Sequence, residues 1–264
     1  MYAVNYHRAS SVAEAASIAK DADARYLSGG MTLIPAMKTR LAAPSDVIDL
    51  SHIADLKGIK VEGRKVMIGG ATTHAEVAGS GEIKAVCPAF CHLAAHIGDP
   101  AVRHKGTIGG SIANNDPAAD YPAAMIALNA TIVTDRREIA AADFFTGLFE
   151  TALEEGEIVT GVRFTAPEKA GYEKFRNPAS RYAMTGVFVA KDGASVRVAV
   201  TGAGETGVFR SKAIEAALTG NFSALALQGL TVPSDGLMGD IHASPEYRAN
   251  LVVVMAKRAV AAAG

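Results

Sequence analysis

The stretch that organises this chain runs from residue 103 to residue 122 and reads Arg103-His104-Lys105-Gly106-Thr107-Ile108-Gly109-Gly110-Ser111-Ile112-Ala113-Asn114-Asn115-Asp116-Pro117-Ala118-Ala119-Asp120-Tyr121-Pro122. It places three glycines around a threonine and a serine, followed by two carboxylates and two prolines. Glycine lets bare backbone approach a ligand closely, and Asp and Pro hold polar groups at fixed positions in turns. We interpret the stretch as one half of a cofactor-binding cradle, whose other half is an earlier glycine pair.

The earlier glycine pair lies in Ser28-Gly29-Gly30-Met31-Thr32, which we call the first glycine segment; residues 106–111 form the second. Arg25-Tyr26-Leu27 before it is typical of a short strand, and residues 33–41 after it can begin a helix if Pro35 lies in the first turn. Such a strand, turn and helix start present free N–H groups and the positive end of a helix dipole to one point. A phosphate or pyrophosphate group would be bound well at such a position. An ordinary tight turn is an equally supported alternative.

The composition limits the kind of partner. Hydrophobic residues make up 49% of the 264 residues, which excludes a disordered chain. Lys plus Arg (26) nearly balances Asp plus Glu (27), so there is no electrostatic case for nucleic acid or an anionic membrane. The N-terminus has no signal-peptide pattern, and the apolar run at residues 251–255 is too short to span a bilayer. We expect a soluble cytoplasmic protein without a membrane span.

The order of predicted elements indicates an α+β chain. A polar stretch with Pro and Gly at residues 165–171 marks the start of a second lobe, in which strands are followed by helices. The predicted strands cover residues 25–27, 47–50, 59–61, 65–68, 130–134, 157–164, 172–176, 183–191 and 195–201. The predicted helices begin at Ser10 or Ser11, at Thr72 or Thr73 with Glu76 in the first turn, and at residues 88, 121, 211 and 244.

Two residue pairs raise the question of a metal. Cys87 and Cys91 would share a helix face, but metal clusters held by thiolates need more than two ligands. His92 and His96 are also four residues apart, yet no third ligand follows at an obvious spacing. We interpret both pairs as helix residues and expect no metal site.

A dinucleotide fingerprint occurs at Gly202-Ala203-Gly204-Glu205-Thr206-Gly207, after a predicted strand. The fingerprint requires its third glycine in the start of a helix, and a later strand ending in an acidic residue. Here three residues separate Gly207 from Ser211, the predicted helix cap, and no such strand follows. We interpret the motif as a glycine-rich connection rather than a nucleotide site.

Several blocks, in the right order, resemble the FAD-binding domain of the molybdenum hydroxylase family over residues 1 to about 165. The whole chain is similar to the separate FAD-binding medium subunit of carbon monoxide dehydrogenase and xanthine dehydrogenase-type enzymes. The blocks are Leu27-Ser28-Gly29-Gly30-Met31-Thr32-Leu33-Ile34-Pro35, Val47-Ile48-Asp49-Leu50, Ile68-Gly69-Gly70-Ala71-Thr72-Thr73-His74, Ile97-Gly98-Asp99-Pro100-Ala101-Val102-Arg103, Gly106-Thr107-Ile108-Gly109-Gly110-Ser111 and Asp116-Pro117-Ala118-Ala119-Asp120.

The resemblance implies a two-lobed PCMH-type FAD-binding domain, with subdomains at 1–57 and 58–166, and a smaller α+β domain at 167–264 with helices covering a sheet. It implies that both glycine segments bind FAD, mostly through backbone N–H groups. Asp120 would accept hydrogen bonds from ligand hydroxyls, and Lys174 would approach the flavin. Ser111 departs from the asparagine usual in the family. The implied FAD-binding residues are Leu27, Ser28, Gly29, Gly30, Met31, Thr32, Leu33, Ile34, Ile97, Gly98, Thr107, Ile108, Gly109, Gly110, Ser111, Asp120, Val159 and Lys174.

The resemblance further implies an electron-transfer subunit of a molybdenum-containing complex. Partners would be a large molybdopterin subunit and a small subunit with two [2Fe-2S] clusters, assembled as a dimer of heterotrimers. FAD would take electrons from the clusters and pass them to an external acceptor, so no residue here needs to act as a nucleophile or base. The alternatives are a stand-alone FAD-dependent oxidoreductase and a nucleotide-binding module without redox activity.

Overall fold

Three main sheets follow one another along the chain, of which the computed structural model describes residues 1–20 and 23–263. The first contains β1 (Asn5–Arg8), β2 (Ala24–Leu27) and β3 (Asp46–Asp49), with α1 (Val12–Ala19) and α2 (Leu33–Lys38) in the connections. The central strand β3 pairs in parallel with both neighbours. The hydroxyl of Ser11 accepts a hydrogen bond from the backbone of Glu14 at 3.1 Å, which confirms the predicted serine cap.

The second sheet is antiparallel and has β10 at its centre, in the order β4-β5-β10-β6-β7. Thr73 and Glu76 form the predicted capping box at the start of the first helix that follows β5. The strands are β4 (Ile59–Glu62), β5 (Lys65–Gly69), β6 (Thr131–Thr134), β7 (Glu138–Ala140) and β10 (Val159–Thr165), with a separate hairpin of β8 (Phe145–Gly147) and β9 (Glu150–Thr151). The helices are α3 (His74–Gly79), α4 (Gly81–Val86), α5 (Pro88–Ala95), α6 (Pro100–Lys105), α7 (Ile108–Asn114), α8 (Tyr121–Ala127) and α9 (Ala141–Phe144).

The third sheet is also antiparallel, and α11 packs against its first two strands. Its strands are β11 (Lys169–Arg176), β12 (Ala183–Asp192), β13 (Ser195–Thr201) and β14 (Phe209–Arg210), followed by α10 (Lys212–Gly220) and α11 (Pro245–Ala262). Strand β11 begins three residues before the predicted Tyr172. The polar stretch is recruited because Lys169, Ala170 and Gly171 pair with the end of β12.

The second and third sheets share one hydrophobic core. Phe90 and Tyr121 pack with their ring centroids 5.6 Å apart, and Tyr172 and Phe188 of the third sheet belong to the same buried cluster. The first sheet has a smaller core of its own, around Ile48. Since each segment holds one main sheet, we retain the division 1–57, 58–166 and 167–264 as a proposal. Tyr121 of α8 is part of this shared core, so α8 and the residues before it are held between the second and third sheets.

The glycine motif at residues 202–207 is a connection between two antiparallel strands. Its preceding strand β13 pairs with β14, which begins at Phe209, directly after the motif. A dinucleotide fingerprint would enter a helix here instead. The predicted glycine-rich connection is therefore confirmed, with the difference that it leads into β14 before the helix α10 begins.

The described helices do not have the character of membrane spans. Within residues 1–20 and 23–263, none of them combines the length and the hydropathy needed to cross a bilayer.

Candidate cofactor-binding site

The two glycine segments lie in direct contact. Ser28 and Thr107 approach each other with their hydroxyl oxygens 3.0 Å apart, so one hydroxyl donates to the other. A Cβ on Gly29 would lie 2.1 Å from the carbonyl oxygen of Lys105 and 2.7 Å from the Cα of Gly106. The close approach of the two backbones therefore requires glycine at position 29. Residues 79 positions apart in sequence form one continuous surface.

The first glycine segment presents free backbone donors. It leaves the end of β2 and enters α2 through Gly30, whose φ of +70° favours glycine. Among the described residues, no backbone carbonyl accepts a hydrogen bond from the N–H of Gly29, Gly30 or Met31. The side chains of Met31 and Ile34 are 40% and 36% exposed beside these donors. This segment combines unpaired N–H groups with an apolar flank.

The second glycine segment differs from the sequence expectation, because most of its donors are used within the protein. The N–H of Ile108 donates to Thr72 O at 3.0 Å, and that of Gly109 donates to Gly70 O at 2.8 Å. The hydroxyl of Thr107 caps α7 by accepting from Gly110 N at 3.2 Å. The bond of Ile108 forms because residues 72–74 and 106–108 run antiparallel to each other. What this segment exposes is the Cα surface of Gly110 and, in part, Ser111.

Asp120 and Lys174, both predicted site residues, form a buried ion pair. Their side chains are 4% and 3% exposed, and Lys174 Nζ lies 2.8 Å from one carboxylate oxygen and 3.1 Å from the other. The Tyr172 hydroxyl donates to the same carboxylate. Burial raises the pKa of Asp120, while the Lys174 cation and the two hydrogen bonds oppose that shift. Both oxygens of Asp120 thus have partners in the protein, across the border between the second and third sheets.

Beside this pair lies a cavity of about 200 Å³, lined by His92, His96, Tyr172, Glu173, Lys174 and Arg176. The two imidazole rings are 4.2 Å apart between centroids, and His92 Nε2 lies 3.8 Å from a Glu173 oxygen. Burial lowers the pKa of His92. Within residues 1–20 and 23–263, no group of three or more His, Cys, Asp or Glu side chains is arranged to hold a metal ion. Cys87 and Cys91 are buried free thiols.

The remaining predicted site residues lie in different surroundings. Ile97 and Gly98 are half-buried before α6, and their carbonyl groups accept hydrogen bonds from Arg103 at 3.0 and 3.1 Å. Val159 belongs to the core of the second sheet, and its carbonyl packs against Gly70, which in turn packs against Gly109. Val159 is thus a core residue whose backbone supports the backbone on which the second glycine segment packs.

Two residues that sequence reasoning passed over lie close to these elements. His74 is 4% exposed and packs behind Gly106, where an added Cβ would lie 2.6 Å from its Nε2. Burial, assisted by the charge of Arg103, lowers the pKa of His74 to about 4. The ring of Tyr182 is half exposed, and burial together with Asp116 and Asp120 raises its pKa. His74 stands in a quoted block, whereas a lone tyrosine in a loop carries no sequence signal.

These features fit a dinucleotide cofactor. The free N–H groups before α2 suit a pyrophosphate, and the apolar side chains beside them suit an aromatic ring system, as pockets for cofactors are mostly apolar with a few placed polar groups. The fold and this surface are those expected of one class of protein: an α+β chain that binds a dinucleotide cofactor.

The chain belongs to the family described as the FAD binding domain in molybdopterin dehydrogenase, which matches residues 2–167. FAD is accordingly its cofactor, as the resemblance implied, and the family is one of oxidoreductases.

Individual relatives cover the whole chain. The carbon monoxide dehydrogenase medium chain of Afipia carboxidovorans is 36% identical over 97% of this chain and 95% of the relative. The nicotine 6-hydroxylase medium subunit of Paenarthrobacter nicotinovorans is 33% identical over 99% and 98%. Reconstituted CO dehydrogenase from Oligotropha carboxidovorans superposes with a TM-score of 0.88 at 34% identity, over 99% of this chain and 97% of that one. The predicted fold class and family are confirmed.

Proposed function

We propose that this chain is the FAD-binding electron-transfer subunit of a molybdenum-containing hydroxylase or dehydrogenase complex. The observation that carries the proposal is the nearly complete coverage, in both directions, by medium chains of such complexes. The contact between the two glycine segments supports it, because it brings free backbone donors and an apolar flank to one surface. Bound FAD supplies the redox chemistry, and the protein supplies binding and orientation.

In this proposal, residues 27–34 hold the pyrophosphate and the neighbouring part of the cofactor. The N–H groups of Gly29, Gly30 and Met31 donate to its oxygens, and Ile34 contacts an apolar ring. Residues 107–111 form the opposite wall, where bare backbone at Gly110 leaves room for the ligand. Ile97, Gly98 and Val159 complete the predicted set of FAD-binding residues.

The ion pair of Asp120 and Lys174 has two roles in the proposal. It ties the second sheet to the third, and it fixes the ammonium of Lys174 at the edge of the cavity that this side chain lines. A cation held at this edge favours a ligand that gains negative charge on reduction. The carboxylate of Asp120 already accepts hydrogen bonds from Lys174 and Tyr172. It can therefore accept hydrogen bonds from ligand hydroxyls only with the lone pairs that remain free.

We propose the partners that the family resemblance implied. A small subunit with two [2Fe-2S] clusters delivers electrons, a large molybdopterin subunit oxidises the substrate, and the assembly is a dimer of heterotrimers in the cytoplasm. The words "medium chain" and "medium subunit" in the names of the relatives support a complex of several subunits.

The experiment has two stages. The purified chain is stripped of ligand, titrated with FAD and followed by flavin absorbance and fluorescence; we expect one FAD for each chain. The untagged native protein is then purified and analysed for molybdenum, iron and co-purifying chains. A chain that takes up no FAD contradicts the proposal and favours a nucleotide-binding module. A chain that binds FAD, runs without partners and turns over a substrate alone is the stand-alone oxidoreductase instead.

A further inference from the structure

The glycine motif at residues 202–207 begins at the end of β13, where the chain contacts the loop that leads to Asp120. The N–H of Gly202 donates to Pro117 O at 2.8 Å. The hydroxyl of Thr201, directly before it, donates to Ala119 O at 2.6 Å, with Pro117 O as a second acceptor at 3.1 Å. The end of β13 thus holds the loop that leads from α7 to Asp120.

The anchor itself is rigid. Gly202 has a φ of +78°, and an added Cβ would lie 2.2 Å from the carbonyl oxygen of Ala183. Its own carbonyl accepts a hydrogen bond from the guanidinium of Arg248 at 2.7 Å. Arg248 is 2% exposed, also donates to the carbonyl of Met184, and is paired with Asp240 at 2.7 Å. Arg248 of the long helix α11 therefore holds the turn at Gly202, and this turn holds the loop at 117–119.

We propose that Thr201 is a positioning residue for FAD: its hydroxyl holds the loop 117–119 so that Asp120 is presented to Tyr172 and Lys174 in the binding-competent arrangement. The inference rests on the proposed function. In this inference the third sheet contributes to the cofactor site in two ways. One is the side chain of Lys174, and the other is the set of hydrogen bonds from Thr201 and Gly202 to the loop 117–119, which we call the clamp.

The geometry separates this role from a merely structural one. The main chain of Thr201 pairs with β12 irrespective of its hydroxyl, so the strand does not need the side-chain bond. Thr185, on the neighbouring strand β12, is equally buried at 0% exposure. Its hydroxyl donates to the carbonyl of Met184 at 2.8 Å, next to it in the same strand. Removing the hydroxyl from each threonine therefore compares a bond to the loop with a bond inside the sheet.

The test uses the full chain and the variants Thr201→Val, Thr201→Ser and Thr185→Val. For each, the Kd of FAD is measured by titrating the apoprotein, the bound flavin is examined by visible circular dichroism, and the unfolding midpoint of the apoprotein is recorded. We expect Thr201→Val to weaken FAD by roughly tenfold and to change the flavin dichroism, since a buried carbonyl that loses its donor is costly. Thr201→Ser and Thr185→Val should stay within about twofold of the wild type.

A normal Kd for Thr201→Val, or an equal loss in Thr185→Val, overturns the inference while leaving the proposed function intact. A wild-type chain that binds no FAD overturns both. Should Thr201→Val not fold, hydrogen exchange in the wild type decides. FAD binding should slow exchange of the Gly202 amide, which donates to the loop, and leave the Phe188 amide unchanged. Unaltered exchange at Gly202 contradicts the clamp.

Discussion

The two glycine segments look alike in sequence and differ in how their backbones are used. In the first, the N–H groups of Gly29 and Gly30 have no carbonyl acceptor among the described residues. In the second, the N–H groups of Ile108, Gly109 and Gly110 are bonded to neighbouring elements or to the helix cap. A pair of adjacent glycines therefore indicates close backbone approach without saying whether a ligand or the protein makes it.

The difference extends to the residues that follow each segment. The first continues into a short helix whose surface is largely exposed. The second continues through α7 into a loop held by Thr201 and Gly202, and ends at the buried pair of Asp120 and Lys174. We infer that the first segment chiefly provides donors to the cofactor, whereas the second chiefly provides a rigid wall. Mutations in the second segment should therefore affect folding as well as binding.

The largest effect is expected at Asp120. Asp120→Asn leaves the Lys174 ammonium buried without its counter-charge, which costs about 3–5 kcal/mol in unfolding free energy, and FAD affinity should fall with it. Asp116→Asn is the matched control, because among the described residues the carboxylate of Asp116 accepts a hydrogen bond only from Ala118 N, at 2.8 Å within its own loop. Urea unfolding and FAD titration of both variants check this.

Equal effects of the two substitutions would show that the buried pair is not what holds the second segment. The double variant Asp120→Asn with Lys174→Met should regain part of the lost stability, since it removes the unpaired charge.

We expect His74 to make the stability of the fold depend on pH. The unfolded chain protonates this imidazole near pH 6.5, whereas in the folded chain burial holds its pKa at about 4. Between these values the unfolded state binds more protons, so stability falls as the pH is lowered from 6.5 to 4. At about 1.4 kcal/mol for each pKa unit, the loss is on the order of 3 kcal/mol.

His74→Gln should flatten this part of the stability profile, measured by urea unfolding at a series of pH values. His104→Gln, at an exposed histidine in α6, is the control and should follow the wild type. If both variants have the wild-type slope, the imidazole behind Gly106 does not carry the pH dependence.

Local signals in the sequence predicted most of the elements. Ser11 and Thr73 cap helices as expected, because a hydroxyl followed three residues later by glutamate satisfies the first donors of a helix. The strands predicted at 59–61 and 65–68 form the hairpin of β4 and β5, with Gly63 and Arg64 in the turn, for a similarly local reason. Strand β11 was predicted to start too late, because its first residues are recruited by pairing with β12 rather than by their own composition.

The site was less predictable, because its contacts join distant positions. Asp120 and Lys174 were both selected through the family resemblance, but their pairing with each other has no local signal, because they are 54 positions apart in sequence. The hydrogen bond from the N–H of Gly109 to the carbonyl of Gly70 likewise joins positions that are distant in sequence. The glycine motif at 202–207 was correctly predicted to be a connection after a strand, but the hydrogen bonds between Thr201 and the loop at 117–119 emerge only from the folded chain.

The adjacent glycines of the second segment allow a direct test of the wall. A Cβ on Gly109 would lie 2.7 Å from the backbone oxygen of Gly70, so Gly109→Ala should cost about 1–3 kcal/mol in unfolding free energy. A Cβ on Gly110 meets only the Thr107 hydroxyl, at 3.0 Å. Gly110→Ala should leave the apoprotein as stable as the wild type or slightly more so, because alanine favours a helix over glycine.

FAD titration then separates the two positions. Both variants should bind FAD more weakly, Gly109→Ala through the displacement of its backbone from Gly70 and Gly110→Ala through the methyl group on the exposed wall. Wild-type FAD affinity in Gly110→Ala would mean that the cofactor does not contact this wall.

The smallest effect is expected where the two segments touch. Ser28→Ala removes only the hydrogen bond to Thr107, worth about 0.5–1.5 kcal/mol. Thr107→Val removes the same bond and also the cap on Gly110 N, worth about 1 kcal/mol more. The double variant should therefore be more stable than the sum of the two losses predicts, by roughly the value of the shared bond. Urea unfolding of the four apoproteins measures this coupling, and the same cycle on FAD affinity shows whether the bond also organises binding. Strict additivity in both would mean that the segments are held together by the packing of Gly29 on Lys105 and not by their hydroxyls.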